Sequence, residues 1–186
     1  YFIEHIFPVL TPIATNPSHP FPFIPNLGFC LIYMLEHNGL EEPLRALLPI
    51  PSLLERFIRL PSEGIHFIQI EAVIDLFLDR LFPNYQIKQT GCFRVLRDSE
   101  MEIDEEAEDL VRTFESALKQ RRRGSVIRLT YNADMPDDLL DLVTFELNVD
   151  RNDAVGLDGL IGMADTMEIV LDECPDFLFK PFNARF

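Results

Sequence analysis

The sequence predicts an α+β fold in which about three helices pack on a mixed β-sheet. Stretches typical of strands and of helices interleave along the chain without strict alternation, which is characteristic of that class. The chain has 186 residues, of which 47% are hydrophobic, so it can bury one sizeable core. It contains no internal repeat and no low-complexity tract. We therefore expect a single domain over residues 1–186.

Six short stretches have the composition of strands. Residues 28–35 are apolar at every position, which predicts a strand buried on both faces. The other five stretches are separated by prolines or by helical segments: 45–48, 57–60, 92–96, 125–131 and 154–157.

The first helix is predicted over residues 70–82, where apolar residues recur with helical spacing. Glu71, Asp75 and Asp79 recur every four residues, so they should form one solvated stripe on this helix. Pro83 follows directly and should end it.

The most regular helical pattern covers residues 105–122. Asp104 can cap its start, and a basic run at 121–123 stands at its end, followed by Gly124. The helix dipole and the C-cap geometry favour this order. The position at the helix end therefore explains the three arginines. The alternative is that they form a patch that binds polyanions.

Two further helices are predicted towards the end of the chain. Pro136 opens one that runs to about Leu147, with its leucines and valine on one face. The second covers residues 160–171 and contains Gly162, which weakens a helix.

Both ends of the chain are rich in proline and aromatic residues. Residues 1–26 contain six prolines, which favour extended and irregular backbone, and residues 175–186 have the same character. The aromatic side chains should pack against neighbouring parts of the protein. Because the chain begins at Tyr1 without a methionine, we expect it to be a piece of a longer protein.

The composition excludes several classes of function. There are 16 basic and 31 acidic residues, a net charge of −15, which works against general binding to nucleic acid or another polyanion. No run of about 18 apolar residues occurs, so no transmembrane segment is expected. Cys30, Cys92 and Cys174 are far apart and odd in number, so we expect free thiols in a reducing cytoplasm.

No catalytic motif is visible in the chain. The glycines do not cluster into a phosphate-binding loop, and neither a nucleophile elbow nor a paired-histidine metal motif is present. The four histidines are scattered. The sequence therefore predicts no catalytic residue, no metal ligand and no bound cofactor within these residues.

Three residues are candidates for contact with a phosphate chain. His19 lies in an unusual proline-aromatic stretch, where it either organises the segment by packing or contacts a phosphate or a partner. Arg94 and Arg97 are three positions apart on a predicted strand, so they should point to opposite faces. Each either pairs with a nearby carboxylate or offers its guanidinium fork to a phosphate.

Several stretches resemble one enzyme family in the same order. The opening, IFPVLTP at 6–12 and NPSHPFPFI at 16–24, is similar to the start of the middle (head) domain of long-chain polyphosphate kinases. The later matching stretches extend the resemblance to residue 171: ERFIRLP at 55–61, LFP at 81–83, FRVLRD at 93–98, 118–124 with 126–129, Met135-Pro136, and more weakly 159–164. The opening motif is long and unusual, so its specificity is high.

The resemblance implies a parent enzyme that reversibly transfers the γ-phosphoryl group of ATP to polyphosphate. It implies a phosphohistidine intermediate, Mg²⁺, and catalytic residues in the C-terminal domains of the same polypeptide. ATP contacts belong to the N-terminal domain, so no catalytic residue is carried over to this chain. The head domain is implied to take part in homodimer contacts and to flank the tunnel to the active site. Its fold is implied to resemble the phosphohistidine-phosphatase-like sheet.

Three functions remain open from the sequence. The first is a structural and dimerisation domain of a cytoplasmic polyphosphate kinase, inactive when isolated, with peripheral membrane association of the parent complex left open. The second is a binding module that guides polyphosphate through Arg94 or Arg97. The third is a stand-alone phosphohistidine phosphatase, which would need a positioned acid–base histidine that no local context supplies.

Overall fold

The computed structural model of the chain describes residues 1–15, 20–37, 42–98, 124–180 and 182. Within these ranges it has three α-helices, α1 (Ile70–Asp75), α2 (Leu78–Leu81) and α3 (Asp137–Leu147). The strands of the same ranges are β1 (Ile13–Thr15), β2 (Phe29–Glu36), β3 (Leu44–Ile50), β4 (Phe57–Arg59), β5 (Phe67–Gln69), β6 (Gln86–Arg97), β7 (Val126–Asn132) and β8 (Ala154–Leu157). The predicted α+β class is confirmed.

Six of the strands form one sheet in the order β1-β3-β2-β6-β7-β8. Its neighbours are antiparallel except β7 and β8, which are parallel, so the sheet is mixed as predicted. Strands β4 and β5 form a separate antiparallel pair. The likeness to the phosphohistidine-phosphatase sheet stays a prediction.

Strand β2 lies at the centre of the sheet and separates two hydrophobic clusters. Phe29, Leu31 and Tyr33 face a first cluster that includes α1 and the N-terminal residues. Cys30 and Ile32 face a second cluster, which is covered by α3. Each fully buried side chain of this size contributes about 1.5–3 kcal/mol, so the strand anchors both halves of the core. The prediction of a strand buried on both faces is confirmed.

Helix α3 is the other prediction that matches closely. Leu139, Leu140 and Val143 are buried on the second cluster, and the helix ends at Asn148 with φ of 52°. Asparagine tolerates this left-handed conformation better than most residues, so it can end a helix as glycine does.

The prediction of one continuous helix over residues 70–82 is wrong. It divides into α1 and α2 at Leu76 and Phe77. The Phe77 ring stacks on Phe2, with 4.3 Å between ring centroids, and Phe77 leaves the helical region at φ −125° and ψ 23°. A tertiary aromatic contact therefore overrides the local helical pattern.

The extended conformation predicted for residues 1–26 is wrong at its start. Phe2–Ile6 form a π-helical turn and Phe7–Val9 a 3₁₀ turn. Phe2 and Ile6 are both buried in the first cluster, so burial of two side chains four residues apart favours a helical turn. Strands β1 and β5, absent from the sequence-based predictions, are only three residues long.

The predicted helix over residues 160–171 is a 3₁₀ stretch instead, Met163–Ile169. Gly162 precedes it with φ of 81°, a conformation that interrupts any helix continuing from residue 160. The C-terminal segment, predicted to be extended, contains a short 3₁₀ turn at Pro175–Phe177. The helix predicted over 105–122 lies outside the described residues.

Candidate functional site

Arg56, which directly precedes β4, is the centre of a charged cluster on the first face of the sheet. Only 5% of it is exposed. Its Nε and Nη2 donate to the Glu71 carboxylate of α1 at 3.2 and 2.5 Å, a bidentate geometry. Its Nη1 donates to Asp165 Oδ2 at 2.8 Å and to the Ile161 carbonyl. All of its side-chain nitrogens therefore have acceptors.

Arg94 of β6 joins the same cluster from the sheet. It lies opposite Phe29 in the β2–β6 register, so the two side chains share a face. Its Nη2 donates to Asp165 Oδ2 at 2.5 Å and its Nη1 to Oδ1 at 3.3 Å. Arg56 Cζ lies 4.0 Å and Arg94 Cζ 5.6 Å from the centroid of the Phe29 ring. One aromatic ring and one carboxylate are thus shared by two guanidinium groups.

A docking segment, which we define as residues 159–173, supplies the rest of the cluster. Glu168 Oε2 accepts from the backbone N–H groups of Arg56 and Phe57 at 2.7 and 2.9 Å. Glu173 pairs with Arg59 at the surface at 2.5 Å. Three carboxylates of the segment, those of Asp165, Glu168 and Glu173, thus contact Arg56 and β4.

Gly162 allows this close approach. A Cβ atom at this position would lie 2.2 Å from Arg94 Nη1 and 2.6 Å from Arg94 Cζ. Its φ of 81° is also unfavourable for other residues. The positive φ favours glycine here, and any larger residue would have to displace the Arg94 guanidinium.

The charges of the cluster compensate one another. Partial burial acts to raise the pKa of Asp165, but the hydrogen bonds and charges of Arg94 and Arg56 outweigh it and hold that pKa below its usual value. Burial acts to lower the pKa of Arg56, and the Glu71 and Asp165 carboxylates reverse this and raise it. Asp165 and Arg56 therefore both stay charged at neutral pH.

Glu71 corrects the prediction of a solvated stripe on the first helix. Its side chain is 16% exposed and is committed to Arg56. Asp79 is exposed, as the pattern predicted.

Arg97 lies apart from the cluster, in keeping with the opposite orientations predicted for Arg94 and Arg97. Its Nε donates to the Ile24 carbonyl at 2.8 Å and its Nη1 to the Gly124 carbonyl at 2.7 Å. Its Cζ lies 4.6 Å from the centroid of the Phe23 ring. Burial lowers the pKa of Arg97, and no carboxylate among the described residues pairs with its side chain.

The remaining sequence candidates divide into two groups. His19 and the basic run at 121–123 lie outside the described residues. The three cysteines are free, as predicted. Burial raises the pKa of the Cys30 thiol to about 12 and, as the largest cause, that of Cys92 to about 11, so both are protonated at neutral pH.

Metal ligands and membrane-spanning helices were sought among the described residues. Their His, Cys, Asp and Glu side chains contain no group of three or more that could hold a metal ion. Among these same residues no helix is long and apolar enough to cross a membrane.

The sequence did not identify Arg56 as the centre of a charged cluster. It appeared only within a stretch that resembles the polyphosphate kinase family, 55–61. Two other such stretches, 93–98 and 159–164, meet it through Arg94 and Ile161. The one signal in the sequence that connected these stretches was that all three resemble the same family, in the same order.

The comparisons with known proteins point to one family. Residues 1–169 match the family model described as polyphosphate kinase middle domain. The chain is 45% identical over its whole length to a polyphosphate kinase of Erythrobacter litoralis, covering 26% of that protein. It is 36% identical to polyphosphate kinase 1 of Chlorobaculum tepidum, with 98% of this chain and 27% of that protein covered.

A solved structure has the same fold. The crystal structure of polyphosphate kinase from Porphyromonas gingivalis matches 99% of this chain and 26% of its own chain with a TM-score of 0.75 at 24% identity. The chain thus spans about a quarter of the length of these relatives. By the match over residues 1–169 and the identity to curated relatives, the chain belongs to the polyphosphate kinase middle-domain family.

Proposed function

We propose that this chain is a structural and dimerisation module of a polyphosphate kinase and contributes no catalytic residue. The observation that carries the proposal is the Arg56 cluster, in which the arginines are committed to carboxylates of the same domain. Arginines bound in this way hold segments of a fold together and have little capacity left for a substrate phosphate.

The parent enzyme follows from the family. Its relatives are named polyphosphate kinases, and the resemblance in sequence implies transfer of the ATP γ-phosphoryl group to polyphosphate through a phosphohistidine. ATP and Mg²⁺ would be bound by other domains of the polypeptide. A cytoplasmic homodimer is the expected form. Large exposed apolar side chains, including Tyr1, Ile3 and Phe145, are compatible with further contacts in an assembly.

The isolated chain tests this role directly. Incubated with labelled ATP and Mg²⁺, it should take up no phosphate and form no polymer, because the residues that would carry the chemistry lie elsewhere. It should also release no phosphate from a phosphohistidine peptide. Label on any of the four histidines, or phosphatase turnover, would contradict the proposal.

A second candidate function, guidance of the polyphosphate chain, is favoured at Arg97 more than at Arg94. Arg94 is paired with Asp165, whereas the described partners of Arg97 are two carbonyl groups and a ring. A guanidinium without a carboxylate partner keeps its charge available for a phosphate oxygen.

Kinetics of the full-length enzyme test this second function. Arg97→Ala should raise the polyphosphate KM about tenfold, the value of one charge-assisted hydrogen bond, with a smaller effect on the ATP KM. Arg97→Lys should restore part of the loss because it keeps the charge. Arg45→Ala, at an exposed position on β3, is the matched control and should change neither constant. Equal KM values for Arg97→Ala and the parent would refute guidance by Arg97.

A further inference from the structure

Asp158 and Gly159 join β8 to the docking segment and are the one aspartate-glycine pair in the sequence. Both residues are exposed and lie in a bend outside any helix or strand. Gly159 has a φ of 113°, and no atom lies within 4 Å of the position that a Cβ would take. Within the described residues, neither the Asp158 carboxylate nor the Gly159 N–H has a hydrogen-bond partner. No described contact therefore restrains either group.

An aspartate followed by glycine can isomerise without an enzyme. The Gly159 nitrogen attacks Asp158 Cγ, a C–N bond forms, and the carboxyl hydroxyl leaves as water together with the amide proton. A second water molecule then opens the resulting succinimide ring at either carbonyl. Opening at Cγ restores aspartate, whereas opening at the α-carbonyl leaves isoaspartate, in which the chain runs through the former side chain. No oxidant, reductant or cofactor is consumed.

The residue after the aspartate decides how easily the ring closes. Glycine has no side chain to hinder its nitrogen, and its backbone rotates more freely than that of any other residue. Asp172 is also exposed, but Glu173 follows it and is paired with Arg59. Asp172 is therefore an internal reference for an exposed aspartate that should react slowly.

The isomer would change the path of the chain into the Arg56 cluster. Isoaspartate adds one carbon atom to the backbone and lengthens it by about 1.5 Å. The open space around Gly159 lets the reaction proceed in the folded protein. Gly162 has no such space, because a Cβ there would lie 2.2 Å from Arg94 Nη1. A backbone shift that reaches Gly162 would therefore disturb the contacts of Asp165 with Arg56 and Arg94, at 2.8 and 2.5 Å.

We propose that Asp158 and Gly159 are a site of spontaneous isoaspartate formation, and that this modification loosens the docking segment. The product carries a free α-carboxylate on an exposed bend. An enzyme acting on it would be a methyltransferase that recognises the α-carboxylate of isoaspartate.

Incubation of the full-length enzyme in water enriched in heavy oxygen tests the site. Each opening of the succinimide adds one oxygen atom from water, so the peptide with Asp158 should gain mass several-fold faster than the peptide with Asp172. Digestion after glutamate places the two aspartates in separate peptides. It also separates them from Asn38 and Gly39, which lie outside the described residues and can form the same ring by loss of ammonia. Equal mass gain in the two aspartate peptides would overturn the proposal.

Two substitutions at position 158 supply matched variants. Asp158→Glu keeps the charge but would have to close a larger ring, so its label uptake should fall to the level of the Asp172 peptide. Asp158→Asn should form isoaspartate several-fold faster than the parent, because ammonia leaves from a neutral amide whereas a carboxylate must first gain a proton. Equal isoaspartate formation in the two variants would contradict a succinimide at this site.

The effect on the docking segment is measured by melting. Parent enzyme that has accumulated isoaspartate, quantified by enzymatic methylation, should melt below fresh enzyme, whereas Asp158→Glu aged in the same way should not. An unchanged melting temperature in extensively isomerised enzyme would refute the loosening. These readouts are independent of phosphate uptake by the isolated chain, so a failure of the proposed function and a failure of this site can be told apart.

Discussion

Replacing Arg56 by alanine is expected to lower the free energy of unfolding by about 3–5 kcal/mol, the usual cost of removing one partner from a buried ion pair. The loss follows because Glu71 and Asp165 would keep their charges without the guanidinium that faces them. The Ile161 carbonyl would lose its donor as well. Urea unfolding of the isolated chain at pH 7, followed by circular dichroism, measures the change.

Arg151 supplies the matched control for this measurement. It also contacts two carboxylates, Asp137 and Asp141, but 46% of its side chain is exposed. Arg151→Ala should therefore cost less than about 1 kcal/mol, since exposed pairs are screened by solvent. Equal losses for Arg56→Ala and Arg151→Ala would show that the buried cluster does not hold the fold.

Gly162→Ala is expected to have the second large effect, about 2–4 kcal/mol, from left-handed backbone strain and displacement of Arg94. The added methyl group would meet Arg94 Nη1 at 2.2 Å. Gly159 also has a positive φ, 113°, but has no atom within 4 Å of its Cβ position. Gly159→Ala therefore reports strain without the clash.

A double-mutant cycle separates the two causes at Gly162. In an Arg94→Ala background, Gly162→Ala should cost less by about 1–3 kcal/mol, because the atoms in the way have been removed. Urea unfolding of the parent chain, the two single variants and the double variant gives the coupling energy. A coupling energy near zero would mean that the Arg94 side chain does not fill this space.

The fold was predictable where a local pattern was also the tertiary pattern. Residues 28–35 are apolar throughout because β2 is covered on both faces, and the one-sided pattern of α3 matches its burial on one cluster. The break in the helix predicted over 70–82 was missed because it accompanies a contact between Phe77 and Phe2, which are far apart in sequence. No spacing rule within the segment could reveal it.

The Arg56 cluster was not predictable for the same reason. Arg56 contacts Glu71, Ile161 and Asp165 at sequence separations of 15, 105 and 109 residues. Periodicity reports only contacts within a few residues along a helix or strand. For Arg94 the sequence left two alternatives open, a carboxylate pair or a phosphate contact. The structure shows the carboxylate pair, and its partner, Asp165, is 71 residues away in sequence.

The most direct test of the central claim is the effect of Asp165→Asn on the full-length kinase. The substitution removes the charge shared by Arg56 and Arg94 without changing the size of the side chain. If the domain contributes architecture, the melting temperature should fall by several degrees while kcat, measured well below it, stays within about twofold of the parent value. A large loss of kcat at an unchanged melting temperature would contradict that claim and place this cluster in the chemistry.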